Sequence, residues 1–438
     1  MFQTLKKAWG VPEIRKKLLY TLLMILIFRF GCFVTVPFLD SDVVGNWMDT
    51  HATDGNFLEY LNILTGGAFS QATLFSLSIT PFINASIIMQ LLTYALPPLE
   101  RMRDEGEEGR KKIEKITAFV SMALAFFMAY AYYVTLTRMT DEKGNHAVLY
   151  MAKDWKQYFS AAVIILCFVA GTSIVVWMGN RISDKGIGNG ISIILFAGIA
   201  ARFPTDVGLL VELTKQTPEK YLFVSIAYLL FIVFEIGFIV FMNEAERRIP
   251  IQYAKRVVGR KQYGGQKSHI PIKICMSGVM PIIFAMAFMS LPSTLKMFIE
   301  PKSGSFYDHF LHWFEYTHPF YACLYFVLII GFNYFYVSMQ YNPLEIANNL
   351  RQNNGGIPGI RPGRPTSDYL KKVLSKITLV GAVFLGIIAI FPIIFTSITK
   401  MNIAMGGTSI LIVVSVALET ARTMESQMMM RHHKGFLE

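Results

Sequence analysis

The chain has 438 residues, of which 53% are hydrophobic and 16% are charged, and its net charge is +11. A typical soluble domain carries about 25% charged residues, so this composition argues against an ordinary soluble globular protein. Apolar runs of about 20 residues, the length that crosses the hydrocarbon core of a bilayer, recur along the chain and predict a membrane protein with many spans.

Ten apolar runs are predicted to be transmembrane helices. The first is interpreted as a span and not as a cleaved signal peptide, because it is long, contains Arg29 and lacks a small-residue cleavage site. The fifth run is short and depends on its flanking residues. The predicted spans are 18–38, 74–96, 116–137, 158–178, 190–203, 221–243, 274–295, 319–340, 377–398 and 405–421.

The distribution of Lys and Arg predicts the orientation of these spans. Of the 41 Lys and Arg residues, 30 fall in the N-terminus, the C-terminus and the alternate loops on the same side, and 10 fall in the other loops. Cytoplasmic loops are enriched in Lys and Arg. The bias therefore predicts that both termini are cytoplasmic, and an even number of spans agrees with that orientation.

Segment 39–73 is unusual because it contains five acidic residues and no Lys or Arg. It ends in a short apolar stretch, 57–69, that Gly66 and Gly67 interrupt. The stretch is too short to span a bilayer. It fits either a helix at the membrane interface or a re-entrant segment, and the second alternative requires a cavity, because irregular backbone survives at membrane depth only inside protein or beside water.

Five motifs follow one another in order along the chain. They are SLSITPFINASIIMQLL at 76–92, GNRISDKGIGNG at 179–190, GVMPIIFA at 278–285, the Asn-rich and Pro-Gly segments within 342–363, and GGTS at 406–409. These motifs resemble those of the SecY family, the channel-forming subunits of the bacterial protein translocase. Within them, Ser78 stands where the family often has glycine, and Asn180 stands where it often has an acidic residue.

The resemblance implies an all-α membrane protein of about ten transmembrane helices. These would form two pseudo-symmetric, inverted halves of five helices each, 1–203 and 204–438. A short re-entrant plug helix at about 57–73 would close the outer funnel, and a surface-lying helix remains the alternative there. The implied plug residues are Leu61, Leu64, Gly66 and Gly67.

The resemblance also implies a constriction at mid-membrane. Two of its residue pairs are spaced i, i+4, so each pair lies on one helix face. An aliphatic constriction excludes water and ions and favours no particular side chain. Ordinary packing or lipid contact is the alternative role for these side chains. The implied pore ring consists of Ile83, Ile87, Ile191, Leu195, Ile283 and Ile412.

A lateral gate is also implied. Spans two and three would form one side of it, and spans seven and eight would form the other side. Thr80, Asn84 and Gln90 place polar groups on the second span, where polar side chains can bond across helices with modest gain. Routine helix packing is an equally good interpretation of these three residues.

Two long basic loops, 244–273 and 341–376, are implied to bind the ribosome or the SecA motor. Clustered Lys and Arg would give salt-sensitive attachment to ribosomal RNA. The alternative is that these Lys and Arg residues only set the topology and bind lipid head groups. The implied contact residues are Arg247, Arg248, Lys255, Arg256 and Arg361.

The resulting hypothesis is a passive channel in the bacterial plasma membrane. It would pass unfolded preproteins across the membrane and release transmembrane segments into it, with no cofactor, no metal and no catalytic residue. Residues 264–268 resemble the end of a P-loop but have Gln266 where glycine is required, so energy must come from a partner. The implied partners are SecE-like and SecG-like subunits, SecA, the ribosome, preprotein signal sequences, membrane lipids, SecDF and a YidC-like insertase.

Two other classes remain open. A secondary transporter is compatible with inverted repeats and interrupted helices, but it usually places ion ligands at mid-membrane. An intramembrane protease would need a nucleophile with a base, or paired carboxylates, at membrane depth. The predicted spans contain few ionisable groups. Among them are Arg29, Glu235 and Glu419, which are interpreted as structural or edge positions.

Overall fold

The computed structural model is dominated by helices. Those of the N-terminal half are α1 (Pro12–Gly31), α2 (Ser41–His51), α3 (Thr80–Ala95), α4 (Pro97–Asp104), α5 (Glu107–Arg138), α6 (Trp155–Lys185) and α7 (Gly190–Gln216). The residues described are 9–51, 62, 65–140, 145–150, 155–216, 218–253, 256–258, 261–263, 267–298, 311–314, 318–399 and 407–434.

The rest of the chain adds helices and a few short strands. The helices are α8 (Pro218–Glu244), α9 (Met280–Phe298), α10 (Pro319–Gln340), α11 (Pro343–Gln352), α12 (Arg364–Thr399) and α13 (Gly407–Lys434). The strands are β1 (Glu246–Tyr253), β2 (Arg256–Val258), β3 (Lys261–Tyr263), β4 (Lys267–Lys273) and β5 (Gly355–Gly356).

Several of these helices have the length and composition of membrane spans. Within the described residues five helices qualify, and the pair α3 and α4, bent by 97°, raises the number to six if it is one broken span. Helices α7 and α9 contain shorter apolar stretches, Gly190–Thr205 and Met280–Met289. The architecture is therefore that of a multi-pass helical membrane protein, while the total of ten spans stays a prediction.

Two predicted spans begin too early. The second was expected from residue 74 and the seventh from residue 274, but α3 begins at Thr80 and α9 at Met280. Each helix is preceded by a residue with positive φ, Ser78 at 46° and Gly278 at 60°. A left-handed residue breaks the helical path, so the apolar run continues while the helix does not.

The predicted boundary between the halves falls inside a helix. The fifth span was expected to end at residue 203, but α7 continues through Pro204 to Gln216. A division at 203/204 would cut this helix, whereas the next helix begins at Pro218. The division into halves is therefore better placed at the junction of α7 and α8.

The segments between helices α8 and α9 and around α11 form a small sheet that the sequence prediction does not contain. Strand β1 lies between β4 and β5 and is antiparallel to both. One face of β1 buries Ile249 and Ile251, and Ile249 packs with Ile272 and Ile357. Predicted loops 244–273 and 341–376 therefore share one apolar core.

Some hydrophobic cores of the membrane part are built from one part of the sequence, and others combine residues from distant parts. One cluster is built from residues between Val36 and Phe168, and another from residues between Tyr228 and Leu411. Two further clusters combine residues from both parts of the chain. These shared clusters join residues that are distant in sequence, and they contain the candidate site.

Candidate functional site

The six predicted pore residues lie in the two shared clusters. Leu195 and Ile412 are buried in one cluster, against which Ile83 and Ile191 pack. Ile87 and Ile283 are buried in the other cluster, against which Ile83 also packs. Ile83 therefore joins the clusters. Helices α3, α7, α9 and α13 bring aliphatic side chains to one place, and none of the six side chains is exposed.

Helices α3 and α9 begin in the same way. The amides of Phe82 and Ile83 donate to Ile79 O at 3.1 and 3.0 Å, and those of Ile282 and Ile283 donate to Val279 O at 3.1 and 3.2 Å. In each helix proline is the second residue, a position that needs no amide hydrogen. The shared start places Ile83 and Ile283 equivalently on their helices.

The backbone that leads into α3, residues 65–79, is irregular and mostly buried. Two of its carbonyl groups accept side-chain hydrogen bonds: Ser76 Oγ donates to Ala68 O at 3.0 Å, and Tyr132 Oη on α5 donates to Phe69 O at 2.6 Å. Leu74 N donates to Val34 O at 2.8 Å. Non-helical backbone at membrane depth needs this satisfaction from protein.

The motif at 179–190 forms the tight turn that starts α7. Asn189 Oδ1 accepts from Ile191 N at 3.1 Å, which caps the helix and fixes Ile191. Gly188 has a φ of 77°. At Gly190 a side chain is excluded, because a Cβ would lie 1.9 Å from Gly179 O. These glycines allow α6 and α7 to approach closely and orient Ile191 toward the shared cluster.

The predicted lateral gate is an apolar seam between α3 and the pair α9 and α10. Ile87 packs with Ile283 and Phe284, and Phe284 meets Phe332 of α10 edge to face at 5.8 Å. Tyr94 at the end of α3 meets Phe335 at 5.6 Å. Helix α9 also contacts α5. The seam is closed by side chains that separate without breaking strong polar bonds.

The predicted polar gate residues make no cross-helix hydrogen bond within the described residues. Gln90 Nε2 donates to Ser86 Oγ of the same helix at 3.4 Å. Thr80 is buried, and its Oγ1 has no partner among the described residues. Asn84 is half-buried. The seam therefore relies on aliphatic and aromatic contacts, which differs from the expected polar bonding.

Of the predicted plug residues, Gly66 and Gly67 are described, while Leu61 and Leu64 lie outside the described residues. Gly66 has a φ of 67° and Gly67 of 90°. Arg29 Nη1 on α1 donates to Gly66 O at 3.5 Å. The second of the two glycines is tied to Asn62, because Gly67 N donates to Asn62 O at 2.9 Å.

The predicted basic contact residues lie on the sheet and the turn beside it. Arg247 and Arg248 are exposed on β1, and Arg248 Nε pairs with Glu246 at 2.6 Å. Arg361 is exposed in the Pro-Gly turn before α12. Arg256 lies in β2, and its backbone pairs with Tyr263. Lys255 lies outside the described residues.

The base of the sheet is joined to α13 by charged groups. Arg422 Nη2 on α13 donates to Asn243 O at 2.8 Å and to Glu244 Oε1 at 3.0 Å. Burial, together with the nearby Arg422 guanidinium, lowers the pKa of Lys273 at the end of β4. The sheet is thereby connected to the helix that carries Ile412.

Sequence reasoning missed Val279 and Phe82. Val279 packs against both clusters that hold the pore residues, and Phe82 packs against one of them. Val279 is four residues before Ile283, so it repeats the i, i+4 spacing seen at Ile83 and Ile87. That spacing was the available signal, but the residue was assigned to the interior of the seventh span and not to its start.

Comparison with known proteins gives concordant matches. The SecY family model matches residues 73–421. The chain is 39% identical to the protein translocase subunit SecY of Streptomyces griseus, covering 100% of both chains. It is 38% identical to that of Thermotoga maritima, covering 100% of this chain and 98% of the relative.

Solved structures give the same fold. A structure described as that of a protein conducting channel superposes with a TM-score of 0.65 at 18% identity, covering 96% of both chains. The Sec61 chain of a canine ribosome-channel complex superposes with a TM-score of 0.62, also at 18% identity and 96% coverage. At this identity the likeness concerns the fold alone.

Proposed function

Because this chain belongs to the SecY family and is a protein translocase subunit, we propose that the aliphatic clusters joined by Ile83 are its pore seal. The seal would consist of Ile83, Ile87, Ile191, Leu195, Ile283 and Ile412, to which we add Val279. Convergence of these side chains from four helices is the observation that carries the proposal. Such a constriction excludes ions by dewetting and grips no particular sequence.

The seam of α3 against α9 and α10 would serve as the lateral gate. Ile87, Phe284 and Phe332 supply dispersion contacts that are lost gradually as helices part. Thr80, Asn84 and Gln90 would meet water or substrate once the seam opens. An apolar signal sequence in the pore could then move into lipid through this opening.

The exposed sheet would be the docking surface for the partner that supplies energy. Arg247 and Arg248 are exposed on β1, and Lys255 and Arg256 belong to the same loop. Arg361 is exposed in the turn before α12. We propose SecA and the ribosome as alternative ligands of this surface, and SecE-like and SecG-like subunits as membrane partners. ATP hydrolysis would reside in SecA, and this chain would act as a passive conduit.

We place the chain in the bacterial plasma membrane with both termini and the sheet in the cytoplasm. The excess of Lys and Arg on that side supports this orientation. The two halves would meet at the junction of α7 and α8, in place of the boundary predicted between residues 203 and 204. The like starts of α3 and α9 support this pseudo-symmetry.

Reconstitution tests this function. The purified complex in proteoliposomes, supplied with SecA and ATP, is expected to move a preprotein into a protease-protected state. A matched sample without ATP controls for binding alone. Absence of protected preprotein, with correctly oriented and folded complex, would refute the proposed function. Solute uptake driven by an ion gradient would instead favour a secondary transporter.

A further inference from the structure

Arg29 is a cation within the apolar part of α1, and the proposed pore and gate do not use it. Its side chain is half-buried, and Nη1 donates to Gly66 O at 3.5 Å, the outer limit of a hydrogen bond. A charged side chain at membrane depth is costly and usually marks a function. Arg29 is therefore a candidate functional residue.

Gly66 is confined from two sides. A Cβ at this position would lie 2.6 Å from Arg29 Nη1 and 2.7 Å from Gly198 O on α7. Gly67, the next residue, has a similarly left-handed φ, yet a Cβ there would meet nothing within 4 Å. Helices α1 and α7 thus approach Gly66 closely but do not approach Gly67.

The residues that follow are held differently. Ala68 O accepts hydrogen bonds from Thr73 Oγ1 at 3.2 Å and from Ser76 Oγ at 3.0 Å. Phe69 is fixed by the Tyr132 hydroxyl and by ring stacking at 4.3 Å. Residues 68–76 form a fixed stem. Residues 65–67, which we call the tip, are bonded to this stem, because Thr65 Oγ1 accepts from Phe69 N at 3.1 Å and Gly67 O accepts from Ser70 Oγ at 3.0 Å. The tip also meets α1 and α7 through Arg29 and Gly198.

We propose that Arg29 is a positioning residue that holds the tip against α1 and α7 in the closed channel, so that opening requires release of the Arg29–Gly66 contact. This proposal rests on the proposed function as a channel. A hydrogen bond from a charged donor is stronger than a neutral one, above all away from water.

Ion conductance of the resting channel tests this role. The purified complex is incorporated into planar bilayers without motor or ribosome. Arg29→Gln is expected to raise the open probability about tenfold, the factor that corresponds to 1.4 kcal/mol of lost stabilisation. Arg29→Lys should give an intermediate value. Arg15→Gln, which removes an exposed charge from the same helix, should leave the conductance unchanged.

A glycine pair provides the matched control. Gly66→Ala is expected to leak like Arg29→Gln, because its Cβ would displace the guanidinium. Gly67→Ala carries similar backbone strain without the collision and should leak less. Equal leakage of the two alanine variants would overturn the proposal, and so would a tight seal in both Arg29→Gln and Gly66→Ala.

Preprotein transport by the same samples separates this inference from the proposed function. If the wild-type complex moves no preprotein with SecA and ATP, the proposed function fails. If the wild-type complex does move preprotein but the variants remain sealed, only the inferred role of Arg29 is refuted and the proposed function stands. Thermal midpoints close to that of the wild type are expected for Arg29→Gln. If that variant unfolds, the comparison of Gly66→Ala with Gly67→Ala decides.

Discussion

Ser78 shows how a single backbone angle sets the start of a functional helix. Its φ of 46° lies in the left-handed region, and its buried Oγ has no partner among the described residues. The sequence marked Ser78 only as a departure from the glycine that the family often has there. The strain could not be predicted, because nothing in the apolar run around it shows the turn.

Replacing Ser78 by glycine is expected to stabilise the protein by about 1 kcal/mol. Left-handed geometry costs a residue with a Cβ roughly 1–2 kcal/mol, and relief of that strain exceeds the entropy that glycine adds to the unfolded chain. The thermal midpoint in detergent should rise. Ser76→Gly is the control and should lower it, because Ser76 Oγ donates to Ala68 O and Thr73 O. A fall in both variants would contradict this account of Ser78.

Asn333 joins helix α10, which flanks the proposed gate, to α12 and to the segment that precedes α9. Its Nδ2 donates to Thr378 O on α12 at 2.8 Å, and its Oδ1 accepts from Ser277 Oγ. Asn333→Leu is expected to cost about 2 kcal/mol, because buried polar partners lose their bonds. Tyr334→Phe, which removes an exposed bond to Ser375 O between the same helices, should cost far less. Similar thermal midpoints for the two variants would count against this role.

At the scale of elements, hydropathy predicted where apolar helices lie better than where they begin. The predicted starts of α3 and α9 each missed by six residues, because a left-handed residue and a following turn are as apolar as the helix itself. The small sheet was missed for another reason. The alternation at Ile249 and Ile251 and at Ile270 and Ile272 is short and surrounded by charges.

The apolar core beneath the sheet should hold the two basic loops together. Ile249→Ala is expected to destabilise this region by about 2 kcal/mol or more, since it removes a buried side chain that packs with both loops. Limited proteolysis should then cut loop 244–273 faster. Gln252→Ala, an exposed change on the same strand, is the control. Unchanged cleavage of the Ile249 variant would show that the loops are independent.

At the scale of the whole molecule, the excess of Lys and Arg in loops 244–273 and 341–376 predicts that docking of a partner depends on salt. If the partner is the ribosome, each lost phosphate contact should reduce the slope of log affinity against log salt by about 0.9 for duplex nucleic acid. Arg361→Ala is expected to show a loss of this size in a titration with ribosomes. Lys156→Ala, exposed and far from the sheet in sequence, should not change the slope. A slope unaffected by Arg361→Ala would remove this residue from the interface.

The sequence motifs predicted which residues would meet between the halves, whereas composition alone could not. Ile83, Ile191, Ile283 and Ile412 are ordinary aliphatic residues, and only the family resemblance distinguished them from lipid-facing neighbours. The structure brings them into joined clusters.

Disulfide crosslinking to a stalled preprotein tests the central claim most directly. A preprotein carrying one cysteine is arrested in a reconstituted channel whose four native cysteines are replaced by serine, and a single cysteine then replaces Ile87, Ile283 or Ile88. Ile87 is 7% exposed and its neighbour Ile88 is 40% exposed, so the two positions face different surroundings on one helix. We expect adducts from Ile87→Cys and Ile283→Cys and none from Ile88→Cys. Adducts from Ile88→Cys alone would show that the polypeptide does not pass through the aliphatic seal.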